Sequence, residues 1–176
     1  MKTETSQLDI EFIDEPTYTF GSTDNLRSYP IEWLDGTGQP VSSHGILIEG
    51  KPFAVIGAFG GATGVHENSM LQLNGIAYFA VGDQVVSFDL IQKEKKWNQR
   101  IDDATCFGIY YSKQHDALIS HGELLISRFS PEGRVIWQSA GRDIFTEGFS
   151  LLDDCIHTTD FEGNEYRFSY EDGKEK

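Results

Sequence analysis

The segment from Ser69 to Trp137 contains one stretch of sequence written twice. Residues 82–97 read GDQVVSFDLIQKEKKW and residues 122–137 read GELLISRFSPEGRVIW, with apolar residues at matching positions. A weaker third copy, GNEYRFSYEDGKEK, occupies residues 163–176. The first two copies start 40 residues apart (82 and 122), and the third starts 41 residues later (163). Such a constant spacing is typical of a repeat architecture.

Each copy has the pattern of a four-stranded antiparallel meander. In the first copy, Asn74-Gly75 separates two apolar runs, and this dipeptide favours a type I′ hairpin turn. Further turns at Gly82-Asp83 and at residues 92–95 divide the segment into four strands. Four strands in about 40 residues is the size of one β-propeller blade. No segment has a convincing helical period, so the pattern predicts an all-β protein.

The N-terminal part fits the repeat poorly but also favours strands. Alternation in LDIEFI (residues 8–13) predicts a half-buried strand, and GILIEGKPFAVIG (residues 45–57) predicts a hairpin. We therefore predict one all-β domain, residues 1–176, with its parts bounded as follows: irregular strands over 1–68, then repeat units over 69–108, 109–148 and 149–176. One blade cannot bury both of its faces, so the units must stack. A small or incomplete propeller and a β-sandwich both satisfy this requirement.

From Ser87 onwards the repeat resembles the blades of quinoprotein-type (pyrroloquinoline-quinone-repeat-like) β-propellers, whose pattern is Ala-x-Asp-x-x-Thr-Gly-x-x-x-Trp. Ser87-Phe88-Asp89 opens this pattern and Trp97 closes it at the right spacing, although Gln92-Lys93 replaces Thr-Gly. The matching positions of the later copies are Ser127, Gly133, Trp137 and Gly173, while Phe129 and Glu132 replace the aspartate and threonine. The resemblance covers about residues 69–176 and implies a propeller-like fold. It implies no quinone cofactor, since many such propellers are scaffolds.

Composition limits the classes of partner. The chain has 28 acidic and 14 basic residues, for a net charge of −14. A negative field of this size repels phosphate backbones and anionic lipid, which disfavours nucleic acid and membrane as partners and suits a basic protein. No apolar run has the length of a signal peptide or a membrane span, so we expect a cytoplasmic protein. Cys106 and Cys155 form no metal-binding spacing and are expected to be reduced, with a disulfide between them left open.

The sequence contains no complete catalytic, nucleotide-binding or zinc-binding motif. The glycine-rich segment 57–64 lacks the Gly-Lys-Ser/Thr ending of a phosphate-binding loop. His66-Glu67 lacks the second histidine of a zinc-protease motif, because position 70 is Met. There is no Gly-x-Ser-x-Gly elbow. We therefore expect no enzymatic activity, no cofactor and no metal.

One group of candidate site residues follows from the repeat. The loops that connect successive units, residues 57–68, 102–105 and 141–148, are expected to share one edge of the molecule. They carry seven titratable side chains: His66, Glu67, Asp102, Asp103, Arg142, Asp143 and Glu147. If the units stack, these groups form an acidic rim with one arginine, where a cation, a polyol or a basic partner could bind. The alternative is that they are ordinary polar loops.

These observations favour a non-enzymatic acidic β-repeat module that binds another protein. A more specific version is an immunity-type inhibitor that masks a basic toxin through charge complementarity. The alternative is an enzyme or a small-ligand binder that uses the rim carboxylates on a sugar-like substrate.

Overall fold

The protein is an array of four small β-sheets in a computed structural model, which describes residues 8–176. The fifteen strands are β1 (Ile10–Asp14), β2 (Ile31–Leu34), β3 (Ser42–Ile48), β4 (Lys51–Ala58), β5 (Met70–Leu73), β6 (Ile76–Val81), β7 (Gln84–Asp89), β8 (Glu94–Arg100), β9 (Cys106–Ser112), β10 (Ala117–Gly122), β11 (Leu125–Phe129), β12 (Val135–Ala140), β13 (Gly148–Leu151), β14 (Ile156–Thr159) and β15 (Glu165–Phe168). The prediction of an all-β fold is confirmed.

The repeat corresponds to the second, third and fourth sheets. The second sheet has the order β5-β6-β7-β8 and the third β9-β10-β11-β12, and each is a consecutive antiparallel meander. The fourth sheet has three strands in the order β13-β14-β15, and an isolated antiparallel bridge joins Phe168 to Glu175 at its outer edge. The third sheet starts at Cys106, three residues before the predicted unit boundary at 109.

The N-terminal region is more regular than predicted, because it forms a sheet of its own with the order β1-β3-β4-β2. Its outer strand β2 runs parallel to β4, whereas β8 runs antiparallel to β7. The outer strand β2 therefore precedes the hairpin of β3 and β4 in the chain, whereas β8 follows the other strands of its sheet. For this reason the 40-residue pattern does not extend to the first sheet. The segment TYTF (residues 17–20) is not a strand, and its Tyr18 packs with Tyr29 and Val55.

Three apolar cores hold the sheets in a row. The first core lies between the first and second sheets and includes Ile56 and Phe79. The second lies between the second and third sheets, and the third between the third and fourth. Within residues 8–176 no core cluster joins the first sheet to the fourth, so the row is not a closed propeller. A sandwich of two sheets does not describe this arrangement either.

The two tryptophans of the repeat occupy equivalent positions. The indole N–H of Trp97 donates to the carbonyl of Pro131 (2.9 Å), and that of Trp137 donates to the carbonyl of Tyr170 (3.0 Å). Each ring covers a glycine in the left-handed region of the next unit: Trp97 lies over Gly133 (φ +85°) and Trp137 over Gly173 (φ +69°). Both rings are half-buried, because the outer strands that carry them face solvent on one side.

Candidate functional site

The loops between sheets lie against hairpin turns of the neighbouring sheets along one edge of the row. We call this the upper edge, and it consists of loops 59–69, 101–105 and 141–147 together with turns 82–83, 122–124 and 160–164. Strands alternate in direction, so the turns that join β5 to β6 and β7 to β8 lie at the opposite, lower edge.

Hydrogen bonds connect the upper edge from one end to the other. In the first half of the row, the amide of Gly61 donates to the carbonyl of Ala104 (2.8 Å) and that of Cys106 to Gly82 (2.7 Å). In the second half, Phe145 donates to Glu123 (2.8 Å) and Phe161 to Ile144 (2.8 Å). Paired backbone of this kind resists local opening, so these bonds hold the loops and turns of the upper edge against one another.

Asp102 is a buried residue of this edge and not an exposed member of a rim. It is 2% exposed. Its Oδ1 accepts from the amides of Ala104 (2.7 Å) and Thr105 (3.0 Å), and its Oδ2 accepts from Leu124 (3.1 Å) and Leu125 (2.7 Å). Burial raises the pKa of Asp102, and the four amide donors oppose that rise. The interpretation of Asp102 as a ligand for a partner is therefore corrected: its carboxylate joins the third sheet to the loop before it.

Asp103 is exposed, but its charge is partly neutralised. The guanidinium of Arg100 lies 3.6 Å from the carboxylate of Asp103 and 3.0 Å from that of Asp83. Arg100 thus forms ion pairs with two carboxylates of the upper edge.

His66 and Glu67 lie beside β9. The Nε2 atom of His66 is 2.6 Å from the carbonyl oxygen of Phe107. Within residues 8–176, no hydrogen bond or ion pair joins His66 or Glu67 to Asp102 or Asp103. The predicted residues of these two loops are therefore not joined directly, although the loops themselves meet where the amide of Gly61 donates to the carbonyl of Ala104.

An aromatic group lies next to His66 on the inner strands. The ring of His121 stacks on Phe149 with centroids 4.6 Å apart, and Tyr110 contacts the same phenylalanine at 4.5 Å. Burial lowers the pKa of His121 to about 4, so its imidazole is neutral at pH 7 and its Nε2 is 2.9 Å from the carbonyl oxygen of Phe145.

The third loop carries Arg142, Asp143 and Glu147. The backbone amide of Arg142 donates to Tyr166 Oη (2.9 Å), while its side chain is exposed. This residue lines a shallow cavity of about 190 Å³, whose other lining residues are Asn164, Glu165, Tyr166 and Glu175. Asp143 accepts the amide of Ile144 (2.8 Å), and Glu147 accepts from the hydroxyl of Thr146 (3.2 Å).

Sequence reasoning missed a buried polar network at the first sheet. His44 is 2% exposed, with Nδ1 3.0 Å from Asp14 Oδ1 and Nε2 2.8 Å from Thr63 Oγ1. The contact with Asp14 is at ion-pair distance, but its geometry is not that of a hydrogen bond. Nδ1 therefore has no hydrogen-bond partner. Asp14, His44 and Thr63 are far apart in the sequence, so no local motif indicates this network.

This network has the order of a carboxylate–histidine–hydroxyl relay, but its geometry favours a structural role. Thr63 Oγ1 also accepts the amide of Gly82 (3.0 Å) and lies 3.1 Å from Ser42 Oγ. The hydroxyl is thus engaged by three polar neighbours, as expected of a structural contact. We conclude that His44 and Thr63 fix the glycine-rich loop to the first and second sheets.

Two exposed apolar side chains of the upper edge were also missed. Leu124 is 37% exposed and Phe161 is 65% exposed, each in a hairpin turn. The sequence signal was available, since both apolar residues stand beside acidic residues in short turns where polar residues are usual.

The remaining predictions concern cysteines, metals and membranes. Cys106 and Cys155 are both free and buried. Within residues 8–176, no group of three or more His, Cys, Asp or Glu side chains is arranged to hold a metal ion. The same residues include no helix with the length and apolarity needed to span a bilayer.

Comparison with known proteins shows the fold. No protein-family model and no curated protein sequence matches the chain. Among solved structures, the chain is similar to the computationally designed Ika4 protein (TM-score 0.52, 7% identity, 65% of this chain and 74% of that chain). It is also similar to the computationally designed Ika8 protein (TM-score 0.54, 7% identity, 75% and 41%) and to BamB from Moraxella catarrhalis (TM-score 0.52, 14% identity, 76% and 41%).

The similarity thus extends over less than half the length of Ika8 and of BamB. At these identities it shows the fold alone. The four stacked sheets and these neighbours establish a propeller-like all-β fold, in agreement with the resemblance of the repeat to quinoprotein-type blades.

Proposed function

We propose that the protein is a non-enzymatic module that binds a basic protein through its upper edge. The observation that carries this proposal is the edge itself: a rigid, hydrogen-bonded row of loops and turns that presents carboxylates and apolar side chains to solvent. Rigid presentation lowers the entropic cost of association. The net charge of −14 adds long-range attraction for a basic surface.

A more specific version of the proposal is an immunity-type inhibitor of a basic toxin. Its support is charge and size: a small, strongly acidic domain speeds its encounter with a basic enzyme and masks a basic active site.

The test is the salt dependence of association with a partner captured from the source cell. We expect the association rate to fall steeply between 50 and 500 mM NaCl, because exposed charges are screened over about 10 Å at 0.1 M salt. Replacing Asp103, Asp143 and Glu147 together by their amides should slow association and leave dissociation almost unchanged. Asp102 is left intact, since its carboxylate is structural.

The control carries the same loss of charge at the lower edge, with Glu94, Asp153 and Glu171 replaced by their amides. It should retain the association rate within about twofold, because steering depends on where the charge lies. Association that is insensitive to salt and to both variants would contradict the proposal.

A second candidate function, binding of a sugar-like ligand, is favoured by the aromatic group on the inner strands. Tyr110 and Phe149 are half-buried, and Glu67 is close enough to Tyr110 to contribute to the raised pKa of its phenol. Binding at such a site would be nearly independent of salt, so the same titration separates the two functions.

A further inference from the structure

We infer that the partner docks on the half of the upper edge formed by the third and fourth sheets, and that it contributes a basic segment with apolar side chains. This inference rests on the proposed function and names the part of the edge that carries it.

Ion pairs compensate more of the charge in one half of the edge than in the other. In the half formed by the first and second sheets, Arg100 pairs with Asp83 and Asp103, Arg27 pairs with Glu15, and His44 lies against Asp14. Glu67 and Asp35 are exposed carboxylates left there without an ion pair. In the other half, no cation within residues 8–176 pairs with the following carboxylates: Glu123, Asp143, Glu147 and Glu162. Arg142 is exposed in the same loop as Asp143 and Glu147.

The most exposed aromatic side chain of the upper edge lies in the half with the larger number of unpaired carboxylates. Leu124 and Phe161 belong to the turns of the third and fourth sheets. In the other half, Phe59 is 39% exposed against 37% for Leu124, and its ring lies against Gly36. Val41 is 60% exposed, so Phe161, at 65%, is the side chain that distinguishes the two halves.

Phe161 is held in its exposed position by the fold. Its amide donates to Ile144 (2.8 Å), and the preceding Asp160 is fully buried, with Oδ2 accepting from Tyr166 Oη (2.7 Å). Gly163 closes the turn with φ +85°. An exposed aromatic ring on a fixed turn costs little entropy to bury, which is the property of binding hot spots.

One loop connects the two apolar residues. Phe145 donates to Glu123, next to Leu124, and the neighbouring Ile144 accepts from Phe161. The loop 141–147, which carries Asp143 and Glu147, is therefore hydrogen-bonded to both turns. A partner that reaches both turns and the loop must offer apolar and cationic side chains together. A basic amphipathic segment has this chemistry, whereas nucleic acid and anionic lipid are repelled.

The test uses two synthetic 14-residue peptides with the full chain, one built from lysine and leucine in an amphipathic helical pattern and one with serine in place of leucine. Affinity is measured by fluorescence anisotropy at 100 mM NaCl, and the contact is mapped by amide chemical shifts. We expect the lysine–leucine peptide to bind about tenfold more tightly than the lysine–serine peptide. Shifts should be concentrated in residues 122–125, 143–147 and 160–163.

Matched variants locate the site. Phe161→Ser should weaken the lysine–leucine peptide about tenfold, while Ile91→Ser, which removes a side chain that is 78% exposed at the lower edge, should change affinity less than twofold. The charge pair Glu123→Gln/Glu162→Gln should weaken binding several-fold more than the equally charged pair Glu67→Gln/Asp103→Asn. None of these six residues is buried, so loss of folding does not confuse the comparison.

The outcomes separate this inference from the proposed function. Salt-sensitive binding in which both charge pairs have the same effect, or in which Ile91→Ser matches Phe161→Ser, overturns the docking site and leaves the acidic module in place. Equal affinity of the two peptides overturns the apolar part. Absence of salt-sensitive binding to either peptide counts against the proposed function itself.

Discussion

Asp102 illustrates how a single carboxylate can serve folding where sequence alone suggests binding. Its two oxygens accept four backbone amides, from both its own loop and the turn of the next sheet. An adjacent residue, Asp103, has the same side chain with 71% exposure. The pair therefore offers a direct comparison of a buried and an exposed aspartate in one loop.

We expect Asp102→Asn to destabilise the fold by about 2–4 kcal/mol, because the new amide group faces two backbone donors that then lack an acceptor. Asp103→Asn should change the free energy of unfolding by less than about 0.5 kcal/mol. Urea unfolding of the two variants measures both. Equal effects would mean that Asp102 does not join the sheets as described.

His121 makes part of the stability depend on pH. Burial lowers the pKa of its imidazole to about 4. The unfolded chain, with an ordinary histidine pKa near 6.5, binds the proton first. The stability that depends on the neutral imidazole is therefore fully present above pH 6.5. It is lost as the pH falls towards 4, and the total loss is roughly 3 kcal/mol.

The variant His121→Phe, which keeps an aromatic ring against Phe149, should lack this component. We expect the stability difference between pH 7 and pH 4 to be smaller in the variant than in the wild type, as measured by urea unfolding at each pH. His44 stays in both proteins and cancels in the comparison. An unchanged difference would contradict a neutral, buried His121.

Among the elements, the outer strands carry the contacts that relate one unit to the next. Trp97 and Trp137 each donate to a carbonyl of the following unit and cover a glycine with positive φ. The equivalence arises because the glycine leaves room for the ring: a Cβ at Gly133 would lie 2.7 Å from the indole of Trp97.

A double-mutant cycle tests this contact. Trp97→Ala should cost about 2–3 kcal/mol, less than the loss of a fully buried ring. Gly133→Ala should cost about 1–3 kcal/mol through strain and the clash with the ring. The double variant should be less destabilised than the sum by at least about 0.5 kcal/mol, since the clash disappears with the ring. Strict additivity in thermal unfolding would show that the two residues do not interact.

The hairpin between β5 and β6 is the local element that the sequence predicts most directly. Asn74 has φ +51° and Gly75 has φ +80°, which confirms positive φ at both positions of the turn. We expect Gly75→Val to be destabilising by about 1–3 kcal/mol and Asn74→Gly to have little effect. Equal tolerance of the two changes in urea unfolding would contradict the turn geometry.

At the scale of the whole molecule, charge opposes compactness. With a net charge of −14, repulsion between carboxylates exceeds the attraction of the few ion pairs. We expect the Tm to rise by about 2–4 °C between 10 and 300 mM NaCl, corresponding to about 1 kcal/mol for a chain of this length. A Tm that falls over this range would show that ion pairs dominate. The amide variant of Asp103, Asp143 and Glu147 should show a smaller rise, as measured by calorimetry.

The sequence by itself determined the all-β class, the repeat, the type of turn at Asn74-Gly75 and the equivalence of the two tryptophans. These properties depend on alternation, glycine positions and spacing, which are local or periodic. The three loops were also expected at one edge, because connections of a meander repeat return to the same side.

The tertiary structure alone decided which side chains of that edge are exposed. Nothing local distinguishes Asp102 from Asp103, because burial depends on the turn 122–125 of the next sheet. Likewise, β2 pairs parallel to β4 outside the repeat, and Asp14, His44 and Thr63 meet only when the first sheet packs against the second. Burial and pairing across sheets are long-range properties, whereas the sequence pattern reports on the strand and its neighbouring turns.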